Sequence, residues 1–146
     1  MERSSGAAPP RRSEVKARHE SVNGDLLTIE VEQPDEGLSI VALGGELDLS
    51  TIPRLEGRLL DEIDMERSVV VDLTRLIFID SSGIGLLIKA HRAAVNGTRF
   101  HTVVSSGSQV ERVLALAGIG RALPLFLDRA EAIAALTTAE NRGRSG

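Results

Sequence analysis

The sequence contains no cysteine, no tryptophan and no tyrosine, and only three phenylalanines in 146 residues. Without thiols there is no disulfide, thiolate metal site, iron–sulfur cluster or cysteine nucleophile, so the fold does not depend on an oxidising compartment. The scarcity of aromatic rings removes the faces on which unpaired bases stack, and a net charge of −4 opposes a polyanion. Direct nucleic-acid binding is therefore not expected. Long apolar runs are missing too: no stretch reaches the roughly 18 residues of a membrane helix, and the polar N-terminus lacks the apolar core of a secretory signal. The expectation is a cytoplasmic protein that does not engage the membrane. His19, His91 and His101 have neither the i, i+4 spacing of a helical metal pair nor carboxylates grouped around them, so no metal or other cofactor is expected.

What is present is the material of one domain, with 42% hydrophobic and 26% charged residues. Residues 1–24 mix Ser, Gly, Pro and Arg without apolar periodicity and are expected to form a disordered tail, as are residues 140–146. Between them, residues 25–139 show no repeat and no linker, which predicts a single domain. Charge is uneven: residues 1–20 sum to +2, residues 21–66 to −10 and residues 67–146 to +4. The acidic stretch reads either as solvated strand and helix faces or as a surface that meets a basic partner.

Leu26 to Glu32 ends in apolar and polar alternation, and Leu38 to Leu43 follows the turn signal Pro34-Asp35-Glu36-Gly37, which predicts a β-hairpin. Ile52, Leu55, Leu59 and Ile63 recur at helical spacing, so a helix over 51–64 is expected, with Ser50 or Thr51 as cap and Pro53 in the first turn. Ser68 to Leu73 is a continuous β-branched run, the mark of a buried central strand. After Phe78-Ile79-Asp80 the chain bends at Ser81-Ser82-Gly83 into a helix bearing Ile84, Leu87, Ile88, Ala94 and Val95, with Asn96-Gly97 as its stop. His91 falls on or beside this stripe, where a lone histidine is more often a partnered core residue than a catalyst. Phe100 to Val104 predicts a further strand, and Ser108 with Glu111 forms a capping-box signature for a helix that Gly118 closes. Leu123 to Leu127 suggests a last strand, with Pro124 at its start or on an edge, before a helix capped by Asp128 and running to about 138. The order β-β-α-β-α-β-α-β-α implies an α/β fold: a mixed sheet with an N-terminal antiparallel hairpin and the remaining strands joined by helical crossovers.

Enzymatic chemistry finds little support. No serine sits in G-x-S-x-G, and no histidine follows Asp128 to complete a hydrolase triad. Gly83-Ile84-Gly85 lacks the third glycine of a dinucleotide fingerprint, and no phosphate-binding loop motif occurs. The pairs Asp61 with Glu62 and Asp64 with Glu66 read as solvated charge at a helix end. One constellation remains, Asp80-Ser81-Ser82-Gly83-Ile84-Gly85, which places two hydroxyls at a helix start where free N–H groups and the dipole favour an anion. Gly83 and Gly85 lack side chains that would keep another protein surface away from the hydroxyls. The same residues also fit a simple helix cap, which is the commoner use of such a sequence, and both readings stay open.

Gly45-Glu46-Leu47-Asp48-Leu49-Ser50-Thr51, Val69-Val70-Val71-Asp72-Leu73, Phe78-Ile79-Asp80-Ser81-Ser82-Gly83-Ile84-Gly85 and Ala117-Gly118-Ile119-Gly120 together resemble the successive signatures of STAS-domain anti-sigma factor antagonists. The four motifs occur in order and span most of residues 26–138. The resemblance implies the STAS fold and a partner switch without catalysis of its own. The unphosphorylated antagonist would bind an anti-sigma factor that is also a serine kinase, releasing a sigma factor, until the kinase phosphorylates it; a PP2C-like phosphatase would reset it. By the same resemblance the acceptor is Ser81, with Ser82 as alternative, and Asp48 shares a partner-binding surface with Asp80, Ser81, Ser82, Gly83 and Gly85. The competing expectation is a STAS scaffold or small-ligand binder that phosphorylation does not regulate, in which Ser81 only caps a helix.

Overall fold

The structure, a computed structural model, describes residues 17–18, 26–94 and 100–136. Among the described residues six strands form one sheet in chain order: β1 (Ala17–Arg18), β2 (Leu27–Asp35), β3 (Leu38–Leu47), β4 (Ser68–Ile79), β5 (Phe100–Val103) and β6 (Leu125–Phe126). β1, β2 and β3 pair antiparallel, and each later strand pairs parallel with the one before it. The expected hairpin and mixed sheet are therefore present. The pairing of Ala17 with Glu30 and Arg18 with Ile29 lies inside the segment that the sequence marks as a tail, so that segment contributes an edge strand.

Helices α1 (Ile52–Asp64), α2 (Ser81–Ala93) and α3 (Gln109–Leu116) make the three parallel crossovers. Because the strands step in one direction and such crossovers are right-handed, all three helices fall on one face of the sheet. They close the main core there, in which Leu55, Leu59, Leu87 and Leu114 pack against Ile29, Val41, Val69 and Val71. The last helix, α4 (129–136), lies on the other face, where Ala132 and Leu136 cover Leu38, Ile40, Val70 and Val103. Both faces of the central strands are thus buried, which explains the unbroken apolar run Val69-Val70-Val71. In β2 only one face is covered, and Leu27, Ile29 and Val31 alternate inward with half-exposed Thr28, Glu30 and Glu32.

Several local expectations need correction. β4 does not end at Leu73 but continues to Ile79, because it keeps pairing with β3 after β5 has stopped at Asp72. The exposed residues Thr74, Arg75, Ile77 and Phe78 break the apolar run that marks the buried half. β6 is reduced to Leu125–Phe126, with Pro124 just before it on the sheet edge. Neither Ser50 nor Thr51 caps α1 through its side chain: the Asp48 carboxylate accepts the Ser50 and Thr51 N–H groups at 3.0 and 3.2 Å, and the Thr51 hydroxyl donates back to the Glu46 carbonyl. Glu62 is not solvated but buried, accepting from Ser39 Oγ at 2.5 Å and Arg67 at 3.0 Å. The Asn96-Gly97 stop lies outside the described residues; the helix is complete at Ala93.

The expected caps of α3 and α4 are present. Ser108 Oγ accepts the Glu111 N–H at 3.1 Å, and Asp128 Oδ1 accepts the Ala130 N–H at 2.9 Å. The two described histidines serve packing: His91 meets Phe100 edge-on at 6.3 Å, and His101 donates from Nδ1 to the Ala132 carbonyl at 3.0 Å while lying on Phe126; His19 lies outside the described residues.

Asp72, buried on β4, fastens α4 to the sheet. Its Oδ2 accepts Arg129 Nε and Nη2 at 3.0 and 2.7 Å, and its Oδ1 accepts the Thr74 N–H at 2.8 Å. Burial pushes this carboxyl up, but the hydrogen bonds from Thr74 and Arg129 outweigh it and hold it below the usual carboxylate range. A depressed folded value means that the contribution is complete above the unfolded value of about 3.9 and is lost as pH falls through the folded one. Asp72→Asn is expected to cost about 1–3 kcal/mol at neutral pH and to flatten the acid limb of the stability curve, measured by urea unfolding between pH 2 and 7. An acid limb identical to that of the wild type would count against this account.

Candidate functional site

The parallel register sets Leu47 beside Ile79, so the loops that leave β3 and β4 emerge together at the carboxyl edge of the sheet. In open α/β sheets this edge is where ligands and partners gather. Asp48 begins the first loop and Asp80 the second. The pairing of β3 with β4 shifts register twice on the way to this edge, between Ala42 and Gly44 and between Gly45 and Glu46, and each time β4 carries the extra residue. Gly45 carries a φ of +93°, and a Cβ there would lie 2.2 Å from the Leu26 carbonyl oxygen, which already accepts the Glu46 N–H at 2.6 Å. The sequence signal for this close backbone approach was the Gly44-Gly45 pair inside a strand.

The Asp80 carboxylate holds the two loops together. Its Oδ1 accepts the N–H groups of Ser82 and Gly83 at 2.9 and 3.0 Å and the Ser82 hydroxyl at 2.6 Å, and its Oδ2 accepts the Leu49 N–H at 3.3 Å. The backbone adds Asp80 N–H to the Leu47 carbonyl at 3.1 Å. The Ser82 hydroxyl, acting against a raising effect of burial and together with the N–H groups of Gly83, Leu49 and Ser82, holds the Asp80 carboxyl below the usual range. Asp80 is ionised at neutral pH. The N–H groups expected to stand free for an anion are thus partly taken by the protein's own carboxylate.

This arrangement separates the two serines. Ser82 is half-buried and its hydroxyl is committed to Asp80, whereas Ser81 is exposed at the first helical position and its hydroxyl bonds to none of the described residues. Asp48 is half-buried and its Oδ1 also accepts the Ser50 hydroxyl at 2.8 Å, so its first duty is to shape the loop before α1. The two glycines also part company. A Cβ on Gly83 would lie 2.8 Å from Ile79 Cγ1 and 3.1 Å from the Leu47 carbonyl, so its lack of a side chain lets α2 start against the strand ends rather than admitting another surface. Gly85 is exposed with nothing within 4 Å of a Cβ, as an open surface requires. The sequence did not disclose the exposed apolar residues at this edge, Leu49, Ile77 and Phe78. Among the described residues there is no cluster of His, Asp or Glu able to hold a metal, and no helix is long and apolar enough to cross a membrane.

The chain belongs to the STAS domain family, whose family model matches residues 28–132. It is similar to the anti-sigma-F factor antagonist RsfB of Mycobacterium tuberculosis, 29% identical over 103 residues that cover 70% of this chain and 83% of the relative. The crystal structure of an anti-sigma factor antagonist from Mycobacterium paratuberculosis superposes with a TM-score of 0.70 at 27% identity, over 76% of this chain and 94% of that one. The Bacillus cell fate determinant SpoIIAA in its phosphorylated form superposes with a TM-score of 0.53 at 25% identity, over 73% and 96% of the two chains. The resemblance to STAS-domain anti-sigma factor antagonists and the fold it implied are both borne out.

Proposed function

We propose that this protein is a cytoplasmic anti-sigma factor antagonist that binds an anti-sigma factor serine kinase through the edge bearing Asp48 and Ser81, frees a sigma factor, and is switched off by phosphorylation of Ser81. The observation that carries this reading is the contrast at the start of α2: Asp80 does the capping, which leaves the Ser81 hydroxyl exposed and unengaged. A serine needed only as a cap would be bonded to the helix N–H groups instead. The named functions of the relatives, and the phosphorylated form of one of them, support the same reading.

In the modification step the γ-phosphoryl group of ATP passes to Ser81 Oγ, ADP leaves and the hydroxyl proton is lost to base or solvent. A PP2C-like phosphatase reverses it by hydrolysis, returning the hydroxyl and inorganic phosphate. The product carries a charge of about −1.5 to −2 beside the ionised Asp80, and because the kinase must hold its nucleotide phosphates opposite Ser81 to make the transfer, like charges then face each other across the closed interface and the complex weakens. The folded unit in this reading is residues 25–139, with edge strand β1 supplied by the segment before it.

The test is phosphopeptide mapping after incubation with the kinase and ATP. Incorporation is expected in the wild type and in Ser82→Ala, and to vanish in Ser81→Ala. Ser82→Ala should lose about 1 kcal/mol of stability, the value of the hydroxyl's bond to Asp80. Label on Ser82 instead would assign the switch to the alternative hydroxyl, and a wild type that binds its partner but takes up no label would favour the unregulated scaffold.

A further inference from the structure

We infer that Leu49 is an apolar anchor for the anti-sigma factor kinase and that Asp80 ties the position of this anchor to the charge on Ser81. The inference rests on the functional reading above and identifies the side chain and the link through which that surface works.

Seven large apolar side chains are exposed among the described residues, and four of them, Leu26, Leu49, Ile77 and Phe78, belong to segments that converge on the carboxyl edge of β3 and β4. Leu26 is placed there by the bond from the Glu46 N–H to its carbonyl, Leu49 by the loop after β3, and Ile77 and Phe78 by the end of β4. Scattered single apolar residues need no explanation, but a group at one edge marks an interaction surface. Leu49 is the most exposed of the four, at 75%. Its backbone is nevertheless fixed, because its N–H donates to Asp80 while Asp48 holds the Ser50 and Thr51 N–H groups on its other side. A solvent-exposed leucine on a fixed backbone loses little freedom on binding, which is what an anchor requires.

The occupant follows from continuity with Ser81. One carboxylate receives the N–H groups of Leu49, Ser82 and Gly83, so a kinase surface that closes over the Ser81 hydroxyl also covers Leu49. With Asp48 and Asp80 flanking the apolar group, the matching patch is an apolar pocket with a basic rim.

The same carboxylate supplies the coupling. Asp80 Oδ1 serves α2 and Oδ2 serves Leu49. A phosphoryl group on Ser81 repels this carboxylate and competes for the N–H groups of Ser82 and Gly83. When Asp80 turns away, Leu49 loses its acceptor, so modification frees the anchor as well as adding charge.

Two measurements test this. Leu49→Ala, whose side chain contributes little to the core, is expected to weaken binding of the purified kinase by at least about tenfold with an unchanged unfolding curve. Amide exchange of Leu49 in the free protein is then compared in wild type, in protein phosphorylated on Ser81, and in Asp80→Asn. Asparagine keeps the helix cap but has a single acceptor oxygen, so Leu49 exchange should rise by about tenfold in both altered forms. Kinase binding of Leu49→Ala within twofold of wild type, or equal Leu49 exchange in all three forms, overturns the inference. If the wild type is phosphorylated on Ser81 and released while either result fails, only this inference falls. A wild type that neither binds the kinase nor accepts phosphate removes the functional reading and this inference with it.

Discussion

Gly45→Ala is expected to destabilise the fold by about 3 kcal/mol or more and to lower the thermal midpoint by about 10–20 °C. Two causes combine. The backbone at Gly45 has a φ of +93°, where a side chain is strained, and the new Cβ would meet a backbone oxygen, that of Leu26, at 2.2 Å. A backbone carbonyl held by the Glu46 N–H at the start of β2 cannot simply rotate aside, so β2 and β3 must separate locally and that bond is lost. The neighbouring glycine supplies the control. A Cβ at Gly44 would approach the Thr28 hydroxyl, a side-chain end that can turn, so Gly44→Ala should cost about 1 kcal/mol or less. Calorimetry of the two variants decides the matter, and equal midpoints would sink the argument.

Ser81→Asp should bind the nucleotide-loaded kinase about 100-fold more weakly than Ser81→Ala at low salt, since the new carboxylate faces the nucleotide phosphates and like charges brought together in an interface cost several kcal/mol. The difference is expected to shrink at 0.5 M salt, because the site is at the surface and screening reaches it. Stability should not fall, because a carboxylate in the first turn of α2 interacts favourably with the helix dipole. Separating these two effects requires both binding titration and thermal unfolding on the same variants. Equal affinities of the aspartate and alanine variants would refute a charge-based switch, whatever the phosphopeptide map shows.

The elements that sequence reading located are those with a clean period. Leu27, Ile29 and Val31 alternate because one face of β2 is covered, and Leu55, Leu59 and Ile63 recur because α1 buries one stripe. Local signals also worked where cap and helix are neighbours in the chain, as with Ser108 and Asp128. What was not legible depends on partners distant in sequence. Thr74 to Ile79 become strand only because β3 lies alongside, β1 rests on a two-residue pairing, and Glu62 is buried through Ser39 and Arg67. The site shows the same division. Its residues stood out as motifs, but neither the assignment of capping to Asp80 nor the release of Ser81 from it could be read without the Leu49 and Ser82 contacts. Gly83 looked like an opening for a partner because its packing against Leu47 and Ile79 is a tertiary fact.

α4 covers Leu38 and Ile40 near the beginning of β3, whereas Asp48 and Ser81 follow the far ends of β3 and β4. A tether that leaves the end of α4 therefore departs from the reverse of the sheet and at a distance from the hydroxyl. Attached to a sensor surface in that way, the molecule would present Ser81 outward to kinase and phosphatase alike, and a cycle of modification and reset could be followed on one immobilised population.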